Sequence, residues 1–324
     1  MHAARQSGKT TLLLDLVQEL NASGEYYAIY CSLETAQGIS DAETGIPAVV
    51  RTLAGCVRLH PLLWTFQFAG DADIGDFNNV LKLSLSLFCG ALDRPLAIMF
   101  DEADCLSGNT LISFLRQLRD GYVNRAMIPF IHSLGLIGMR NIRDYRGQIR
   151  EDRESLGSAS PFNIISETFT LRNFTKEETA KMYRQHTEET GQLFSSQVLE
   201  KIWCYTQGQP WLVSAAAREI IVKLLGSDPS AAILPEHADQ AIQNIILRRD
   251  THIDSLLERL KEERVKKIVY PVIVGKDTGF NETDDDYQYV LDLGLLENAG
   301  GVLRPSNPVY AELKNDTLIL LIPF

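Results

Sequence analysis

The chain has 324 residues, a formal net charge of −11, 45% apolar residues and 23% charged residues. That composition excludes wholesale disorder and leaves room for two or three cored domains. The acidic balance excludes a generally basic, nucleic-acid-coating surface.

No apolar stretch reaches the ~18 residues of a membrane span. Arg5 and Lys9 stand where a leader peptide would have its apolar core, so no membrane role is expected. Cys31, Cys56, Cys89, Cys105 and Cys204 occur singly, without C-x-x-C spacing. Such cysteines suit the reduced thiols of a cytoplasmic protein better than a disulfide frame or a zinc site.

In chain order, residues 10–21 carry apolar residues at helical spacing and end in Asn-Ala-Ser-Gly, a helix stop. Residues 25–34 read as a strand, 41–63 as helical or irregular, and 76–92 as a helix. The run RPLAIMFDEADCL (94–106) is apolar on both faces, as in a parallel strand covered by helices on each side. Residues 109–121 read as a helix and 127–141 as another buried strand, with His132 a core histidine inside it. This alternation predicts a doubly wound α/β core. The polar stretch 143–164 is a surface loop, and 167–175 reads as one more strand. Helical patterns cover 176–223, broken at TQGQPW (206–211), and 236–270. The last segment, 285–313, reads helix, two short strands joined at 299–301, then helix, a winged-helix-like order. The apolar tail 318–324 reads as a buried strand or a dimer contact.

Ala3-Ala4-Arg5-Gln6-Ser7-Gly8-Lys9-Thr10 matches the phosphate-loop pattern G-x-x-x-x-G-K-[ST], except that Ala3 replaces the first glycine. In such a loop the backbone N–H groups of residues 4–8 and the start of the next helix point at phosphate oxygens. Lys9 is expected on the β- and γ-phosphates, Thr10 on Mg²⁺ and Thr11 on the α-phosphate. Ala3 is tolerable where φ stays below zero. The apolar strand LAIMF ends in Asp101 and Glu102. In P-loop ATPases the first acid holds Mg²⁺ and the second polarises the attacking water. Only Met1 and His2 precede the loop, so its strand is expected to be missing, with a gap in the sheet and a loosely anchored loop over 1–8.

With these motifs together, ARQSGKTTLL, IMFDEAD, GLIGMRN, SPFNI, QHTEETGQ and TQGQPWLV resemble bacterial AAA-type ATPases of the STAND and origin-recognition-like branch. The resemblance spans nearly the whole chain. It implies an AAA-type P-loop NTPase fold: a parallel sheet with helices on both faces, a helical lid and a C-terminal winged-helix-like domain. The corresponding boundaries are 1–172, 173–250 and 251–324. It also implies that Gly208-Gln209-Pro210 lies over the base and ribose, and that Arg140 stands at the sensor position for the γ-phosphate.

The expected activity is that of an ATP-binding, Mg²⁺-dependent switch with slow hydrolysis. Its ligands are ATP and ADP, with a protein partner or self-association. Arg143, Arg146, Arg150 and Arg153 read as a solvated charge run, with an arginine finger in trans as the alternative. Trp203 and Trp211 read as lid core, with a base-pocket role for Trp211 left open, and His186 has no metal partner at ligand spacing. The acidic run Asp284–Asp286 opens the candidate recognition helix and would be repelled by a duplex. It favours protein contacts or autoinhibition over DNA binding. A DNA-binding regulator under nucleotide control and a non-hydrolysing scaffold are the two alternatives.

Overall fold

The structure, a computed structural model, describes residues 1–4, 6–69, 76–139, 167–248, 251–275, 281 and 284–312. Two compact units emerge. The first holds Met1–His2 and Lys9–Thr170, and the second holds Ala3–Gly8 and Leu171–Phe324.

In the first unit, helix α1 (Lys9–Ser23) leads to strand β1 (Tyr27–Ser32), then helices α2 (Ala42–Leu59) and α3 (Val80–Ala91). Strand β2 (Leu96–Asp101), helix α4 (Gly108–Asn124) and strand β3 (Ser133–Leu136) complete it. The sheet order is β1-β2-β3, parallel throughout, with Tyr27 opposite Leu96 and Ala97 opposite Ser133. Side chains alternate across a pleat, and both faces of this sheet are covered. Ile29, Cys31, Ile98 and Phe100 pack into a large core with Ile46 and Leu53 of α2, Leu85 of α3 and Phe114 of α4. Ala28, Ala97 and Met99 face the other way, onto Leu13 of α1. Phe100 and Phe114 meet edge-on at 5.2 Å and are both fully buried, so truncating either to alanine should cost about 3–5 kcal/mol. Burial on both faces is why β2 reads as a continuous apolar run.

Helix α2 starts at Asp41, whose carboxylate accepts from Thr44 N–H at 3.0 Å. This satisfies one of the donors that a helix start leaves open.

Strand β3 is shorter than the run 127–141, because pairing with β2 begins only at Ser133. His132 therefore lies before the strand, exposed rather than in the core. Its Nδ1 is 2.9 Å from Ser133 Oγ and its ring is 5.5 Å from that of Tyr26. The place beyond β3 is filled for two residues' length. The Met1 amino group donates to Leu136 O, Gly138 N–H donates to Met1 O, and His2 N–H donates to Phe169 O. His2 thus bridges Gly138 and Thr170, and the latter is the only β-bridge that 167–175 makes among the described residues. Met1 and His2 are pinned by these bonds.

The second unit is helical. It runs α5 (Lys176–Thr190), α6 (Ser196–Thr206), α7 (Pro210–Arg218) with a π-turn at Glu219–Leu224, and α8 (Pro235–Arg248). Next come α9 (Thr251–Leu260), α10 (Glu263–Ile273) and α11 (Asp285–Asp292). The hairpin β4 (Leu296–Ala299) and β5 (Val302–Pro305) is antiparallel, and residues 308–312 are helical again. One core of this unit joins Tyr183, Phe194, Ile202 and Val213. A second joins Leu212, Ala216, Ile242 and Ile245 to Ile253, Val265, Val290 and Val309. Residues on either side of position 250 thus share one apolar core. Among the described residues no helix is long and apolar enough to cross a membrane. The stretch 143–164 and the tail 318–324 lie outside the described residues.

Candidate functional site

The loop before α1 is built locally. Ser7 Oγ donates to Ala4 O at 2.8 Å, closing a turn. Gln6 and Gly8 adopt φ of 54° and 86°, whereas Ala3, which is buried, stays outside the positive-φ region, as its substitution for glycine requires. Among the described residues nothing lies within 4 Å of where a Cβ on Gly8 would sit. Lys9 opens α1 and is 7% exposed, which is rare for a lysine. Thr10 and Thr11 follow in the first turn and are exposed. The N–H groups of that turn have no intrahelical acceptor, so this end of α1 favours an anion. Arg5 lies outside the described residues.

The two acids at the end of β2 part company. Positions 97, 99 and 101 share the sheet face that α1 covers, which sends Asp101 toward the start of that helix. Asp101 is 1% exposed, and its Oδ2 accepts from Thr10 Oγ1 at 2.8 Å. The same oxygen accepts from Tyr30 OH at 3.0 Å, while Oδ1 accepts from Glu102 N–H at 3.0 Å. Glu102 sits past the strand in the left-handed region, with φ of 54° and ψ of 38°, and heads a 3-10 turn at Ala103–Cys105. Such a backbone costs of order 1–3 kcal/mol in a non-glycine residue and clusters at functional sites. The turn is tied down where Ala103 N–H donates to Ile137 O and Met139 N–H donates to Asp104 Oδ2. Arg140 and the arginines at 143, 146, 150 and 153 lie outside the described residues.

Tyr30 is the polar residue that motif reading missed. Burial, and after it the Asp101 carboxylate, push its phenol up to about 12, so it stays a donor. The signal that finds it is register. Tyr30 is paired with Met99 in the parallel ladder, so it shares a face with Asp101 one step along. That pairing is not visible until β1 and β2 are aligned.

In the second unit, Gly208-Gln209-Pro210 is the corner between α6 and α7. Gly208 has φ of 72°, and a Cβ there would lie 2.1 Å from Phe174 O. Phe174 N–H in turn donates to Gly208 O at 2.9 Å. Gln209 caps α7, its Oε1 accepting from Leu212 N–H at 2.6 Å, and Pro210 takes the first helical position. Proline suits that position because its missing N–H would have had no partner there. The Gln209 amide also donates to Gln6 O at 3.4 Å. Trp203 and Trp211 are half-buried, Trp211 against the core that includes Leu212 and Ile242. His186 pairs with Gln192 at 2.8 Å. No group of three or more potential metal-binding His, Cys, Asp or Glu side chains occurs among the described residues.

No family model matches the chain. No curated protein matches it either. Among solved structures, a Walker-type ATPase of Pyrococcus abyssi superposes with a TM-score of 0.63 at 14% identity, over 97% of this chain and 89% of that one. The Aeropyrum pernix Orc1 protein, solved in complex with DNA, gives 0.47 at 16% identity, over 98% of this chain and 76% of that one. The Thermotoga maritima RuvB Holliday junction branch migration motor gives 0.40 at 12% identity, over 96% and 95%. The first of these shows a shared fold, the α/β P-loop ATPase architecture, and at that identity it shows the fold alone. The other two superpose too loosely to decide anything.

Proposed function

We propose that this chain binds ATP with Mg²⁺ and works as a slow, nucleotide-controlled AAA-type switch of the STAND and origin-recognition-like kind. The observation that carries the reading is the buried Asp101 carboxylate hydrogen-bonded to Thr10 in the first turn of α1. A hydroxyl and a carboxylate held together are the hard oxygen donors that Mg²⁺ takes. Among the described residues nothing crowds Gly8, which leaves room for a phosphate beside the loop's backbone. The residues present therefore fit the group, and Thr10 and Asp101 are the ones that would hold the metal.

When bound, Mg²⁺ neutralises charge on the phosphates. The backbone N–H groups of residues 4–8 cradle the phosphate oxygens, and Lys9 adds a fixed positive charge to the β- and γ-phosphates. Thr11 meets the α-phosphate. Glu102, beyond the strand and on its own backbone angle, orients the attacking water. Catalysis of this kind is positioning plus charge stabilisation. By resemblance, Arg140 reads the γ-phosphate and the corner Gly208-Pro210 is the base and ribose side. The proposed divisions are an α/β domain over 1–172, a helical lid over 173–250 and a winged-helix-like domain over 251–324.

Protein contacts are favoured over DNA for the last of these. Asp284 caps α11 by accepting from Asp286 N–H at 2.8 Å, and Asp285 and Asp286 fill the first turn. Acids there stabilise the helix start and repel a duplex.

The test compares nucleotide binding and turnover in the parent, Lys9→Ala and Glu102→Gln. Mg-ATP should raise the melting temperature of the parent, since a ligand that binds only the folded state must stabilise it. Lys9→Ala should lose about a hundredfold or more in affinity, and Glu102→Gln should keep binding while turnover falls by a similar factor. Equal ATP affinity in the parent and Lys9→Ala sinks the assignment. No thermal shift in the parent identifies a scaffold that does not use nucleotide.

A further inference from the structure

We infer that Tyr30 is a positioning residue for the metal-binding carboxylate, holding Asp101 in one orientation beside Thr10. The inference rests on the Mg-nucleotide reading and adds to it a residue that no motif names.

The geometry is that of a carboxylate fixed at both ends. Oδ1 is held by the backbone N–H of Glu102, and Oδ2 is shared between Thr10 Oγ1 and Tyr30 OH. A hydroxyl has one proton and two lone pairs, so Thr10 can donate to Oδ2 and still offer its oxygen to a metal. Tyr30 adds a second donor to Oδ2, and with Glu102 N–H on the other oxygen it keeps the plane of the carboxylate from rotating.

Tyr30 is well placed for this because its own position is rigid. It sits mid-strand in β1, opposite Met99, and its ring packs against the cluster of Leu13, Ala28, Ala97 and Met99. That packing calls for an apolar ring and nothing more. Among the described residues the hydroxyl meets the Asp101 carboxylate and the Thr10 hydroxyl, so phenylalanine would satisfy the core and remove only those polar contacts. Outer groups that orient a ligand in this way typically change metal affinity by about 10–100-fold when removed.

The experiment uses the full chain and Tyr30→Phe. Mn²⁺ serves as the probe, its binding in the presence of ADP followed by loss of the free-ion paramagnetic resonance signal. ADP affinity in excess chelator and melting temperature without ligand are measured alongside. Tyr30→Phe should bind Mn²⁺ about tenfold more weakly. Its metal-free ADP affinity and its melting temperature should match the parent. Tyr30→Met, lacking both ring and donor, should show the same metal defect and serves if the first variant folds poorly. Parent-like Mn²⁺ affinity in both variants overturns the inference while leaving the nucleotide reading intact. A matching loss of metal-free ADP affinity and thermal stability also overturns it, by showing a merely structural tyrosine. A parent that binds no Mn²⁺ with ADP overturns the nucleotide reading itself, and the positioning role falls with it.

Discussion

Gly8 and Gly208 are both motif glycines and both hold a positive φ, 86° and 72°, yet their surroundings are opposite. Around Gly8 nothing described lies within 4 Å of a Cβ position, whereas at Gly208 that position is 2.1 Å from Phe174 O and 2.8 Å from Trp203 Cζ3. Folding explains Gly208 completely. The glycine lets α6 and α7 turn a corner against the backbone at Phe174, and Gln209 and Pro210 then start the next helix. The space over Gly8 is that of an exposed glycine, as at Gly38 and Gly191, and what sets Gly8 apart is the buried Lys9 beside it. An open left-handed loop beside a helix start and a buried lysine is what an anion needs. Of two equally motif-like glycines, the open one that adjoins a buried lysine makes the better functional candidate.

The largest effect expected from that contrast is at Gly208. Alanine there pays the left-handed penalty of about 1–2 kcal/mol and must also displace a backbone carbonyl, so Gly208→Ala should destabilise by about 3 kcal/mol or more. Gly8→Ala meets no described atom and should cost only the backbone term, about 1 kcal/mol. Its Mg-ATP affinity should nevertheless fall at least about tenfold, because the new methyl occupies the approach to the loop. Denaturant unfolding and nucleotide titration on the two variants check this. Equal stability losses with unchanged affinity at Gly8 would collapse the distinction.

A smaller effect is expected one residue on. Gln209→Ala removes the cap on α7 and should cost about 1 kcal/mol in the same unfolding measurement. Asparagine, a preferred cap residue, should restore most of that stability although its side chain is shorter. If alanine proves neutral, the bond from Leu212 N–H to Gln209 Oε1 is not holding the corner, and the structural explanation of the Gly-Gln-Pro motif weakens with it.

How much of this was legible beforehand follows the range of the interactions involved. The parallel strand at Leu96–Asp101 was readable because burial on both faces writes an unbroken apolar run, and its two acids stood out at the end of that run. Alternation gave α1, α3 and α4 nearly at their observed limits. His132 was misread because the apolar run starts ahead of the point where the ladder with β2 begins, and residue type does not report where a ladder starts. Tyr30 was invisible for a related reason. Its link to Asp101 depends on the alignment of two strands far apart in sequence, and an apolar strand tolerates a tyrosine without comment. The bonds from Met1 and His2 to Leu136, Gly138 and Phe169 are backbone bonds, which side-chain patterns do not encode.

The smallest expected effect concerns the segment against which Gly208 packs. Phe174 is followed by a capping box in which Glu178 N–H donates to Thr175 Oγ1 at 3.2 Å and Thr175 N–H donates to Glu178 Oε2 at 2.8 Å. Arg172 grips the same carboxylate through both terminal nitrogens, at 2.7 and 2.9 Å. The guanidinium first, and the Thr175 N–H second, hold the Glu178 carboxyl down at about 2. A carboxyl whose folded value lies below its unfolded value of about 4.3 contributes stability that is present above the unfolded value and lost as pH falls through the folded one. Parent and Glu178→Gln should therefore differ in melting temperature near neutral pH and converge as pH falls from about 4.3 to about 2. The difference should be small and should shrink further in high salt, since the pair is exposed. Because the cap anchors Phe174, amide exchange around the Gly208 corner should quicken in the variant while exchange around Gly8 stays unchanged. A variant that loosened both loops alike would mean that the two glycines report on one cooperative element, and their different surroundings would then say less about function than about packing.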